Sequence, residues 1–88
     1  MLEKMIEAFL VKRVESRGGM CLKQEWINTR GAPDRLVILP RGEIVMVELK
    51  QKGVAPEPHQ ERMHARLKAL GVRVVVLDSI EAVEDFIK

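Results

Sequence analysis

The chain has 88 residues, 47% of them apolar and 32% charged, which suits one small domain with a hydrophobic core and excludes a disordered chain. Fifteen basic and 13 acidic residues leave a formal charge of +2, which is typical of a mixed surface and does not by itself indicate a polyanionic partner. One Cys excludes an intrachain disulfide, and no apolar run approaches the roughly 20 residues that span a membrane. We therefore expect one cytoplasmic domain over residues 1–88, without a membrane segment.

Hydrophobic periodicity and turn residues predict seven elements in the order α-β-β-β-α-β-α. Apolar residues recur every three or four positions in the helices, whereas the strands are short aliphatic runs bounded by Gly and Pro. The predicted helices cover residues 2–17, 58–70 and 79–88, and the predicted strands cover 20–27, 35–39, 44–50 and 72–77. The fold class is α/β, with a right-handed parallel crossover between the last two strands. The third strand is almost continuously apolar, which predicts a central strand covered on both faces.

Two charged residues close this third strand and demand an explanation. Glu48 and Lys50 are two positions apart, so their side chains point to the same face of the sheet. Burying either one without a partner is costly, and the alternative is that they sit at an exposed strand end or pair with each other. A turn at 40–43 would form a hairpin in which paired residue numbers sum to 82 or 83. That register places Asp34 beside Glu48.

The pairing of two carboxylates predicts a metal site. Cross-strand neighbours have Cβ atoms about 5 Å apart, and two acids at that distance repel each other unless a cation lies between them. Hard oxygen ligands with no Cys or His nearby favour Mg²⁺ or Mn²⁺. Lys50 could then orient an attacking water or stabilise a pentacovalent phosphate. Asp34 and Glu48 are the candidate ligands.

The first and second helices offer further candidates whose roles stay open at this point. Glu3 and Glu7 are four residues apart and share a helical face, so either could supply a third acid or be an ordinary solvated side chain. Gln60 could bind the nucleophilic water or a phosphate, or be a surface residue. His59 and His64 have no paired ligand at i+4, which favours structural or surface roles.

Basic residues near the two acids could contact phosphates. Arg30 and Arg35 flank the Pro33-Asp34 pair, and guanidinium groups are well shaped for phosphate oxygens. Lys52 follows the third strand closely. We predict that all three side chains bind DNA, with surface solvation as the alternative for Arg30 and Arg35.

Three motifs follow one another along the chain: Gly31-Ala32-Pro33-Asp34-Arg35, Glu48-Leu49-Lys50 and His59-Gln60. Their order, their spacing across a hairpin and the downstream Gln closely resemble the VRR-NUC domain. That group belongs to the PD-(D/E)xK superfamily of restriction-endonuclease-like proteins. The resemblance runs over nearly the whole chain and implies a restriction-endonuclease-like core, with a mixed central sheet flanked by helices.

The resemblance also implies roles for single residues. The positions that match the family's catalytic and metal-binding groups are Asp34, Glu48, the backbone carbonyl of Leu49, Lys50 and Gln60. Glu7 lies about where related proteins carry a further metal-binding acid, with Glu3 as the alternative. No residue of the core motif is missing, which disfavours a degenerate copy that only binds DNA.

Small standalone members of this family are typically phage-encoded and look like homodimeric nucleases similar to Holliday junction resolvases. The resemblance therefore implies an Mg²⁺- or Mn²⁺-dependent endonuclease that acts on branched DNA as a homodimer, in the cytoplasm of a bacterium or of a phage-infected host. Two alternatives remain. One is an exonuclease or duplex endonuclease of the same superfamily, and the other is a catalytically inactive DNA-binding protein.

Overall fold

The computed structural model describes residues 1–88 and contains three α-helices and four β-strands. Helices α1, α2 and α3 span Glu3–Ser16, Pro58–Ala69 and Ile80–Ile87, and strands β1, β2, β3 and β4 span Met20–Lys23, Arg35–Leu39, Glu43–Leu49 and Val74–Leu77. A 3₁₀ turn at Pro40–Gly42 joins β2 to β3. The predicted order of elements and the α/β fold class are confirmed.

The strands form one mixed sheet in the order β1-β2-β3-β4. β2 runs antiparallel to both β1 and β3, whereas β4 runs parallel to β3. Arg35 pairs with Val47 and Leu39 with Glu43, so paired residue numbers sum to 82, as the turn predicts. One further step in this register sets Asp34 opposite Glu48.

One face of the sheet forms the hydrophobic core with α1 and α3. Alternate residues of β3 point to this face, because side chains on a strand alternate between its two sides. The buried apolar residues of this core are Ile6, Leu10, Val14, Val37, Val45, Val47, Leu49, Leu77, Val83 and Ile87. All ten of these residues are aliphatic, so the centre of this core contains no ionisable side chain.

Helix α2 covers only part of the other face of the sheet. It contacts the sheet near Glu48, through Gln60 and His64. At the opposite end of β3, Ile44 is 51% exposed, and Met20 on the same face is 54% exposed. The prediction that both faces of β3 are covered is therefore wrong for the first half of the strand, because α2 packs at the far end.

Strand β1 is shorter than predicted, since it ends at Lys23 instead of continuing to residue 27. Its last residue, Lys23, pairs with Arg35, and Pro33, two positions before Arg35, has no N–H to donate to a ladder. Gln24 continues the contact with this segment beyond the end of β1, through two hydrogen bonds. Its backbone N–H donates to the Asp34 carbonyl at 2.9 Å, and its side-chain Nε2 donates to the Pro33 carbonyl at 3.0 Å. The chain then turns away, with Asn28 in the left-handed region at φ 63°.

Helix α3 begins at Ile80, directly after its N-cap residue. The Ser79 hydroxyl accepts a hydrogen bond from the N–H of Ala82 at 3.0 Å, so Ser79 caps the helix. None of the three helices has the length and apolar character that crossing a bilayer requires.

Candidate active site

Glu48 is a carboxylate buried at the end of β3, with 1% of its surface exposed. Its Oε2 accepts a hydrogen bond from Nε2 of Gln60 at 3.1 Å and lies 3.7 Å from Nζ of Lys50. Its Oε1 lies 3.6 Å from Nε2 of His64, and both of these atoms are buried without a hydrogen-bond partner. Leaving a buried polar atom unpaired costs about 1–3 kcal/mol. Such an atom marks a place where a ligand would restore the missing interaction.

Asp34 is held beside Glu48 by the hairpin itself. It comes directly before β2, and its Oδ2 accepts a hydrogen bond from the backbone N–H of Leu49 at 2.8 Å. The side chain therefore adds one more hydrogen bond between the two strands of the hairpin, just beyond the end of β2. This bond fixes the Asp34 carboxylate at the same end of the sheet as Glu48, which is the juxtaposition that the sequence predicts.

Burial and charge together raise the pKa of Glu48 from its ordinary 4.5 to about 7. Loss of hydration is the largest cause, and the Asp34 carboxylate adds to it, whereas the ammonium of Lys50 acts in the opposite direction. Burial also lowers the pKa of His64, helped by the cations of Lys68 and Lys50. The site thus strongly disfavours two negative carboxylates in the absence of an added positive charge.

Helix α2 presents Gln60 to Glu48 through a capping box at its first turn. Glu57 is the N-cap, and its backbone N–H donates to Oε1 of Gln60 at 2.8 Å. The same amide donates from Nε2 to Glu48, so both ends of the Gln60 amide are bound. His64 lies one helical turn further and shares this face of α2.

A glycine lets the loop before Asp34 approach α2 closely. Gly31 has φ +92°, a conformation that L side chains rarely adopt. A Cβ there would lie 3.0 Å from the carbonyl oxygen of His59 and 3.0 Å from Cβ of Met63. The glycine thereby allows α2 and the Asp34 loop to meet over Glu48.

The two acids of α1 have different surroundings. Oε2 of Glu7 accepts a hydrogen bond from Nε of Arg35 at 2.8 Å, and Arg35 also donates to the carbonyl of Cys21 at 3.1 Å. Glu3 is exposed, and its charge is among the causes that raise the pKa of Glu48. Of the two acids, Glu3 thus makes a small contribution to the raised pKa of Glu48, while Glu7 is paired with Arg35.

The structure brings together four of the residues chosen from the sequence, which are Asp34, Glu48, Lys50 and Gln60. It leaves Arg30 and Lys52 exposed and holds Arg35 in its ion pair with Glu7. His64 was assigned a structural or surface role, yet it contacts Glu48 at 3.6 Å. The available signal was its spacing of four residues from Gln60, which places both on one helical face.

The donors around Glu48 fit a hard divalent cation. No group of three or more His, Cys, Asp or Glu side chains is arranged to hold a metal by itself. Mg²⁺ usually binds through one or two carboxylates, with waters and substrate phosphates completing its shell. Asp34, Glu48 and the carbonyl of Leu49 match that pattern, and the unpaired Oε1 of Glu48 would gain its missing interaction.

Comparison with known proteins gives two close relatives, although no protein-family model matches the chain. A protein of Acyrthosiphon pisum secondary endosymbiont phage 1, described as "Putative nuclease p44", is 52% identical over 77 residues, which cover 88% of this chain and 83% of the phage protein. A solved structure described as "VRR_NUC domain" is 40% identical, with a TM-score of 0.92, and the match covers 97% of this chain and 92% of that one.

A mixed sheet with two carboxylates and a lysine at one end defines a nuclease domain of the restriction-endonuclease-like fold. Within that class, the two relatives decide the group: the chain belongs to the VRR-NUC family, as a small nuclease of the phage type.

Proposed function

We propose that this nuclease hydrolyses phosphodiester bonds in DNA with Mg²⁺ or Mn²⁺ held by Asp34, Glu48 and the carbonyl of Leu49. The observation that carries the proposal is the Glu48 carboxylate, which is 1% exposed and meets Lys50 and Gln60 beside Asp34. Burying this acid is unfavourable for the fold, and its neighbours are those that phosphoryl transfer uses.

In this proposal some residues of the site bind the metal ion and others stabilise or position charged groups. A bound divalent cation would offset the two carboxylates, lower the pKa of a water and neutralise charge on the phosphate. Lys50, whose ammonium lies 3.7 Å from Glu48, would stabilise the negative charge that builds up in the transition state. Gln60, fixed at both ends, holds the Glu48 carboxylate in position. An acid of α1, Glu7 or its alternative Glu3, would complete the metal ligands.

We further propose that the substrate is branched DNA, such as a Holliday junction, and that the chain acts as a homodimer in the cytoplasm of a bacterial host. The support is the uncovered part of the sheet on the Glu48 side. Four exposed apolar side chains lie there, which are Met20, Leu22, Ile44 and Val76. A second copy could cover this face, and two copies would supply two sites for a symmetric junction.

The substrate is tested by cutting four DNAs of shared sequence, which are a four-way junction, a flap, a linear duplex and a single strand. We expect the junction to be cut fastest with Mg²⁺ or Mn²⁺, and no DNA to be cut with EDTA. Equal rates on linear duplex would identify a duplex endonuclease, and products that shorten from the ends would identify an exonuclease. Binding of all four DNAs without cutting by any would contradict the proposed activity.

The dimer is tested by light scattering after size exclusion. Ile44→Glu puts a charge in the uncovered sheet face and should convert the dimer to a monomer, because a stable interface of about 800 Å² per partner tolerates few unpaired charges. Val54→Glu is the matched control, since Val54 is 50% exposed but lies in a loop. A wild-type monomer at the concentrations used for cleavage would contradict the dimer.

A further inference from the structure

A cleft lies at the other end of the sheet from Asp34 and Glu48. Its volume is about 390 Å³, and it opens between the turn after β2 and the ends of α1 and α3. Four cations line it, which are Arg17, Arg41, Arg73 and Lys88, together with a single carboxylate, Glu43. We refer to these five residues as the basic cleft.

The basic cleft concentrates the positive charge of the chain. Its four cations and one acid give a formal +3 among the lining side chains, in a chain whose total is +2. All remaining residues together therefore carry a formal −1. The weak overall charge, which indicates no particular partner, conceals a local excess large enough to attract an anion.

The cations of the basic cleft are only partly neutralised within the protein. Arg73 donates from Nη1 to Oε2 of Glu43 at 2.7 Å, and both side chains are about half exposed. Arg17 donates to a backbone carbonyl, which leaves its charge without an acid. Lys88 lies 3.6 Å from an exposed carboxylate of Asp85. Arg41 has neither an ion pair nor a side-chain hydrogen bond.

Arg41 also has an unusual backbone. Its φ is 74° and its ψ is 13°, in the left-handed region, where a residue with a Cβ costs roughly 1 kcal/mol more than glycine. The next residue is a glycine that has φ 77° with open space around it. An arginine in this conformation, with an unpaired guanidinium among the residues that line a cleft, points to a ligand outside the chain.

We propose that the basic cleft binds the phosphodiester backbone of DNA, at a segment apart from the bond that is cut. Guanidinium groups match phosphate oxygens in geometry, and the cleft offers several of them with a single acid. The proposal rests on the proposed function for the nature of the substrate, but not for any step of the chemistry. It extends the predicted DNA contacts to residues that lie far from the metal-site motifs.

The position of the cleft explains why the DNA segment bound there must be separate from the segment that is cut at Glu48. Glu43 and Glu48 are five residues apart on β3, about 17 Å at the usual rise of a strand. The cleft opens among α1 and α3, whereas Glu48 faces α2 on the other side of the sheet. A DNA that reaches both would have to pass around the sheet, which takes at least about five base pairs at 3.4 Å each. A second arm of a branched substrate would meet this requirement.

The first experiment measures equilibrium binding of a four-way junction with arms of about 15 base pairs, in EDTA, by fluorescence anisotropy. Each phosphate contact contributes about 0.9 to the slope of log K against log salt, so Arg41→Gln should lower that slope by about 1 and weaken binding about 3- to 10-fold. Arg41→Lys should restore most of the affinity. Glu43→Gln removes the only acid and should tighten binding about 3-fold.

A matched control is Lys12→Gln, because Lys12 is an exposed cation on α1 that does not line the cleft. The opposite signs expected for Arg41→Gln and Glu43→Gln guard against misfolding, which would weaken both. If both variants bind the junction like the Lys12→Gln control, the proposal is overturned. Failure of this test leaves the effect of Asp34 and Glu48 substitutions on cleavage untouched, so the two proposals can fail separately.

The second experiment varies the length of the arms. With arms of about four base pairs, a DNA held at Glu48 falls short of the basic cleft, and the effect of Arg41→Gln should disappear. If Arg41→Gln weakened binding equally with short and long arms, the proposal that the cleft binds a separate segment of the DNA would be overturned. Poly-glutamate and unlabelled DNA of matched charge are then compared as competitors of the labelled DNA. If poly-glutamate displaced the labelled DNA as effectively as unlabelled DNA does, the assignment of the cleft to nucleic acid would be overturned.

Discussion

Strand β3 carries a glutamate near each end, and the two are held in opposite ways. Glu43 has a side chain that is 52% exposed and pairs with Arg73 at 2.7 Å. The Glu48 side chain is 2% exposed, the Lys50 ammonium lies 3.7 Å from one of its oxygens, and its other oxygen has no hydrogen-bond partner. An exposed pair contributes at most about 1 kcal/mol, whereas an acid buried with incomplete pairing destabilises the fold. The proposed role of Glu48 in binding a metal would account for this difference.

The largest expected effect tests that difference directly. Glu48→Gln and Asp34→Asn should each lower the cleavage rate about 10³-fold or more, a loss of roughly 4 kcal/mol in transition-state stabilisation when a metal-binding charge is removed. Binding of the junction in EDTA should persist. Glu15 is an exposed acid that belongs to neither the Glu48 site nor the lining of the basic cleft, so Glu15→Gln should cleave within about 2-fold of wild type. Full activity of Glu48→Gln would remove the basis of the proposed mechanism.

The next largest effect concerns Lys50. Lys50→Met keeps the aliphatic length of the side chain but removes the charge 3.7 Å from Glu48. The single-turnover rate with Mg²⁺ should fall about 10²-fold, the usual cost of losing one transition-state donor. The affinity for DNA in EDTA should change little. A variant that lost affinity and kept its single-turnover rate would show that Lys50 only binds the backbone.

The pKa of Glu48 predicts how stability depends on pH in the presence of EDTA. Because the pKa is raised from 4.5 to about 7 on folding, the folded protein binds the extra proton between these values. The free energy of unfolding should therefore fall as pH rises through 7, by about 2–3 kcal/mol for this group. Urea unfolding at pH 5 and pH 8 measures the change.

A matched variant isolates this effect from that of His64. The lowered pKa of His64 acts in the opposite sense, since its contribution is present above pH 6.5 and is lost as pH falls through its folded value. Glu48→Gln removes only the carboxylate, so it should match wild type near pH 5 and become more stable than wild type at pH 8. Parallel pH profiles for the two proteins would contradict the raised pKa. Glu43→Gln should keep the wild-type profile.

The smallest expected effect concerns the loop that brings α2 to Glu48. Gly31→Ala should destabilise the fold by roughly 1–2 kcal/mol and slow cleavage about 10-fold, because the new Cβ pushes α2 away from the Asp34 loop. Gly53→Ala is the control, with a similar φ of +81° and nothing within 4 Å. Both variants share the backbone strain, so only their difference measures the close approach. If Gly31→Ala and Gly53→Ala lowered the free energy of unfolding equally, the contact with α2 would be unimportant for stability.

The predictable part of the site is local in sequence. The turn at 40–42 sets the register of the hairpin, and this register alone places Asp34 opposite Glu48. Alternation along β3 then puts Lys50 on the same side as Glu48. The seven elements follow from periodicity and from Gly and Pro, which act within a few residues. This part of the structure depends on short-range rules.

The parts that were missed depend on contacts between distant segments. His64 contacts Glu48 only because α2 packs at one end of the sheet. The spacing of His64 from Gln60 shows that they share a face of α2, but it does not show where that face packs. For the same reason the uncovered half of β3 escaped prediction. The basic cleft joins residues from Arg17 to Lys88 and leaves no motif. Likewise, only the folded chain shows that Arg35 is paired with Glu7.

The hydrogen bond from the Leu49 N–H to the Asp34 carboxylate has a consequence for folding fidelity. A hairpin that slipped by one residue would turn Glu48 toward the aliphatic core and move Asp34 away from it. Such a misfolded molecule could retain helices and a sheet, and spectra of secondary structure would hardly distinguish it. Cleavage activity per molecule would therefore report how accurately the two strands were aligned during folding.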